Sequence, residues 1–81
     1  MGIRRRMITE SFIEIEYGKT IFRFSIDEFE VAQKLVSFIP LYNQVNRLKL
    51  VKGIREIFTL TLEEAIALLE AANENFYNAK R

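Results

Sequence analysis

A short pattern occurs twice in this chain, and it limits the folds open to it. Phe22-Arg23-Phe24-Ser25-Ile26-Asp27-Glu28 matches Phe58-Thr59-Leu60-Thr61-Leu62-Glu63-Glu64 position by position, as aromatic, polar, apolar, hydroxyl, apolar, acid, acid. A glycine, Gly18 or Gly53, lies upstream of each copy between strand-like runs, and a helical pattern lies downstream. The chain therefore reads as ββα followed by ββα.

In the first copy Ile13 and Ile15 alternate with Glu14 and Glu16, and Phe22 and Phe24 alternate with Ile21 and Arg23, which is the period of a strand buried on one side. A two-residue turn at Tyr17-Gly18 would set Glu16 opposite Lys19 and gather Ile13, Ile15, Phe22 and Phe24 on one face. In the second copy a loop Lys52-Gly53-Ile54, with Gly53 able to take a positive φ, would gather Leu48, Leu50, Phe58 and Leu60. Arg47, Lys49, Ile57 and Thr59 would then occupy the opposite face.

Both repeats end in a helix start. Ser25 with Glu28, and Thr61 with Glu64, have the spacing of capping boxes, in which the hydroxyl accepts from a free amide and the carboxylate reaches back to the cap. Asp27 and Glu63 add negative charge where the helix dipole favours it. The first helix should run from Ile26 to Ile39, because Pro40 lacks an amide and forces its predecessor out of helical geometry. The second should run from Leu62 to near Tyr77.

The expected fold is therefore α+β, with two tandem ββα units forming a four-stranded, mainly antiparallel sheet and two helices packed on one face. At 81 residues it makes a single domain. Its expected parts are a basic N-terminal arm (1–8), a first ββα unit (9–39), a connector (40–46) and a second ββα unit (47–79). A composition 49% hydrophobic and 12% aromatic supplies one core.

The chain contains neither His nor Cys, which removes disulfides, Ser-His-Asp and Cys-His sites, and zinc sites with His or Cys ligands. The three glycines form no phosphate-cradling loop. Arg4, Arg5 and Arg6 have the charge of a signal-peptide start, but Glu10, Glu14 and Glu16 break the apolar run that a signal peptide needs next. An intracellular, cytoplasmic setting without a membrane partner is the expectation, with no cofactor, metal or small-molecule substrate.

Three groups of residues remain as candidates for function. Glu14 and Glu16, two apart on one strand face, have the makings of a cation site or an acid-base pair. Lys19 and Arg23 within cross-strand reach make them ordinary solvated charges instead. Arg4, Arg5, Arg6, Arg23, Arg47 and Lys49, with Phe12 nearby, form the charge and aromatic mixture that nucleic-acid binders use. A net charge of only +1 requires that any such contact be local.

On the first helix the apolar positions span an arc of roughly 180°, against the roughly 100° that one sheet covers. The excess falls at Val31, Phe38 and Tyr42, which with Leu35 mark a surface for a second copy or another protein. The sequence thus points to a non-enzymatic interaction protein that self-associates and acts as a regulator or inhibitor through protein contacts. The alternative is nucleic-acid binding through the arginine arm and a basic sheet face.

Overall fold

The fold was obtained as a computed structural model, which describes the backbone of residues 3–8 and 12–79 and the side chains of residues 12–74. Three strands, β1 (Ile3–Ile8), β2 (Phe12–Tyr17) and β3 (Thr20–Ser25), precede three helices, α1 (Ile26–Ser37), α2 (Gln44–Ile57) and α3 (Leu62–Ala79). The strands form one antiparallel sheet in the order β1-β2-β3. The segment expected as an N-terminal arm is thus a strand, with Arg5 opposite Glu16 and Arg6 opposite Ile15 along the backbone.

The β2-β3 hairpin buries the expected face in a different register. Ile13 lies opposite Phe24 and Ile15 opposite Phe22, so the turn is Gly18-Lys19, Glu14 pairs with Arg23 across the strands, and Glu16 stands opposite Ile21. Gly18 explains the shift. Its φ of 64° is the positive value that a type II′ hairpin needs at its first central residue. Sliding the pairing by two residues keeps every side chain on its own face.

Both capping boxes form. The Ser25 N–H donates to Glu28 Oε1 at 2.7 Å and the Glu28 N–H to Ser25 Oγ at 3.1 Å. At α3 the Thr61 N–H donates to Glu64 Oε1 at 2.9 Å and the Glu64 N–H to Thr61 Oγ1 at 3.2 Å. Helix α1 ends at Ser37, short of Pro40, with the Phe38 N–H donating to Leu35 O.

The second ββ unit is absent, and the four-stranded sheet with it. Residues 44–57 are helical throughout, so Leu48 and Leu50 are not on a strand and the Lys52-Gly53-Ile54 loop is one turn of α2. Val51, Ile54 and Phe58 recur at helical spacing and face the core, while Leu48 stays 61% exposed. Asn43 starts the helix, its side chain accepting from the Asn46 N–H at 2.9 Å. The second copy of the repeat is an extended lead into a capping box, with Phe58 at φ −122°, ψ 151° as the C-cap of α2.

Helix α3 is enclosed. Ala65, Ala67, Leu68, Leu69, Ala71 and Ala72 are all fully buried, against α1, α2 and the sheet. Ile13, Ile15, Phe24, Phe29, Val36 and Ile54 complete a core that contains no buried polar residue among those described.

Gly53 offers a direct check on this assignment. Inside a helix, with nothing within 4 Å of an added Cβ, Gly53→Ala should stabilise the protein by about 0.5–1 kcal/mol in chemical denaturation. A glycine held at positive φ in a loop would respond with a loss. Thr61→Ala should cost about 0.5–2 kcal/mol by the same measurement, and an unchanged midpoint would remove the cap from the account.

Candidate interaction surface on helix α2 and its connector

The connector between α1 and α2 is tied down by its own polar groups. Asn46 Nδ2 donates to Leu41 O at 2.7 Å, and the Arg47 N–H donates to Asn43 O at 2.8 Å. Leu41, in the connector before the Asn43 cap, and Val45 and Leu48, three apart on α2, are not part of the core. They are 56%, 64% and 61% exposed, and Phe38, at the end of α1, is 82% exposed. Large apolar side chains left exposed in one stretch of chain mark a candidate contact surface.

The residues singled out from sequence on this side separate into two groups. Val31, Leu35 and Tyr42 are half-buried and pack against the protein's own core. Only Phe38 stands clear of it. Leu48 escaped the sequence reading because 47–50 was read as a strand, and Leu41 and Val45 because 40–46 was read as a connector. Read as a helix, the segment 44–57 turns Val45 away from Ile54 and sets Leu48 at the edge of the core-facing side.

Tyr42 lies beside Arg47 and Glu70, whose charged atoms are 3.7 Å apart. Its hydroxyl is sealed from solvent without a well-formed hydrogen bond, yet Glu70 is close enough to oppose its ionisation. Burial first, and then the Glu70 carboxylate, push the phenol well above its ordinary range, against the opposing pull of Arg47. The geometry suits a structural seal over the α2-α3 contact.

The basic sheet face expected for nucleic acid does not assemble. Arg23 lies on the sheet's outer face, where its Nε donates to Glu14 Oε2 at 3.0 Å and its guanidinium stacks 4.6 Å from the Phe12 ring centroid. Arg47 and Lys49 sit on α2 instead, the first paired with Glu70. The side chains of Arg4, Arg5 and Arg6 lie outside the described residues. Glu14 is thus engaged with Arg23, and among the described residues no group of three or more His, Cys, Asp or Glu is placed to hold a metal ion.

No helix among the described residues is long and apolar enough to cross a membrane. No protein-family model, curated protein or solved structure matches the chain.

Because the Tyr42 hydroxyl makes no well-formed bond, Tyr42→Phe should change stability by less than about 1 kcal/mol, and a loss of 2 kcal/mol or more would mean a working bond to Glu70. The fold favours the neutral phenol, so this contribution is present at neutral pH and is lost as pH rises through the raised folded-state value. In an alkaline ultraviolet titration, the signal missing from Tyr42→Phe should therefore appear only well above pH ~10, together with falling stability.

Proposed function

We propose that this chain is a non-enzymatic protein-contact module that self-associates through Phe38, Leu41, Val45 and Leu48, and that it regulates or inhibits a larger partner by such contacts. One observation carries the reading: these four side chains are 56% to 82% exposed within an eleven-residue stretch, 38–48, while the core closes without them. Water contact with that much apolar surface is unfavourable at about 25 cal/mol per Å², and a second copy is a self-complementary way to remove it. A two-fold crossing of α2 helices near Val45 would join the apolar side chains of both copies and let the cations farther along each helix diverge. Interface cores lacking charge are the usual arrangement.

Sedimentation velocity tests the proposal. The parent should associate with rising concentration, and Leu41→Glu with Val45→Glu should remain monomeric with an unchanged helical spectrum, because a carboxylate buried without a partner is strongly unfavourable. A parent that stays monomeric up to about 1 mM, the weak limit of specific association, would overturn it.

A further inference from the structure

Beyond the self-association surface, the C-terminal half of α2 and the extended residues before α3 enclose a solvent-open groove of about 570 Å³. Its floor is apolar, formed by Leu48, Val51 and Leu60, and its rim carries Lys52, Arg55 and Glu56. Lys49 lies one turn before Lys52 on the exposed side of α2. Neither Lys49 nor Lys52 has a carboxylate within 4.0 Å among the described residues. Arg55 is held at the groove by its own chain, its Nε donating to Leu60 O at 3.2 Å.

We infer that this groove docks an acidic amphipathic helix of a partner protein. Cations at Lys49, Lys52 and Arg55 repeat every three residues along α2, a row that carboxylates on a helix lying alongside can match, while its apolar stripe enters the floor. Charge complementarity selects the sign of the partner. The apolar floor and the rim carboxylate of Glu56 disfavour a phosphate backbone, which needs an unbroken cationic track. A second copy is disfavoured at this place, because two-fold pairing of this half of α2 would bring like charges together. The groove shares only Leu48 with the self-association surface, so each can fail alone.

Fluorescence anisotropy with a labelled synthetic helix tests the inference, using leucines at i, i+3, i+4 and i+7 and glutamates elsewhere, against twins with lysine for glutamate or serine for leucine. The leucine-glutamate helix should bind saturably with Kd of about 10–100 μM, and both twins at least ~10-fold more weakly. Lys52→Glu with Arg55→Glu should lower that affinity at least ~10-fold at an unchanged melting temperature, and Lys52→Gln with Arg55→Gln replaces this pair if the charge reversal unfolds the protein. Binding should persist in the Leu41→Glu, Val45→Glu monomer, which separates this result from the fate of self-association. Equal binding of all three helices, or an unaffected rim variant, would overturn the inference. So would absence of peptide binding alongside rim-dependent retention of the protein by phosphatidylglycerol vesicles or by labelled duplex DNA, which would hand the groove to a lipid or a nucleic acid.

Discussion

The structure depends on the enclosure of α3. Six of its residues between Ala65 and Ala72 are fully buried, and four of the six are alanines. Alanine adds little bulk and has the highest helix propensity, so α3 can take the sheet on one side and α1 and α2 on others at close approach. The bulk needed to fill the core comes from outside α3, from Ile13, Ile15, Phe24, Phe29 and Ile54. Leu68 and Leu69 bridge to it. A helix so surrounded leaves little apolar surface of its own exposed, whereas Val45, Leu48 and Ile57 on α2 are more than half exposed.

Elements were legible in the sequence where their signals had a single physical meaning. The β2-β3 hairpin and the caps at Ser25 and Thr61 are of this kind, since alternation kept up over two six-residue runs about Gly18 and the hydroxyl-to-acid spacing each admit one reading. The register within the hairpin was not legible, since two pairings put Ile13, Ile15, Phe22 and Phe24 on one face and only the φ of Gly18 separates them. The larger error was α2. Four residues, Arg47 to Leu50, alternate as a strand does, and the likeness between Phe22–Glu28 and Phe58–Glu64 encouraged a second hairpin. That likeness encodes an extended entry into a helix, which Phe58–Leu60 supplies without any partner strand. Over the longer window Val51, Ile54 and Phe58 set the helical period, and burial against α3 outweighs the local alternation and Gly53.

The same error hid the surface on which the functional reading rests. As a strand, Leu48 belongs to the core and Val45 to a connector. As a helix, both are exposed, as Leu41 is in the connector, and Lys49, Lys52 and Arg55 come later along the same helix. Helix α2 thus carries both exposed apolar side chains, Val45 and Leu48, and a row of cations, Lys49, Lys52 and Arg55. Glu56 is the one acid on α2, while Asp27, Glu28, Glu63 and Glu64 lie in the first turns of α1 and α3, where the helix dipoles favour them. With charge segregated in this way, a net charge of +1 conceals a basic helix.

Native-state amide hydrogen exchange, resolved by residue, tests the central claim that α3 is the enclosed pillar and α2 an outer helix. The slowest amides should lie at residues 66–72 and in β2, with α2 protected continuously from residue 48 to 57 but opening at lower free energy than α3. Protection that alternates residue by residue across 47–50, or an α3 that exchanges before α2, would contradict the account.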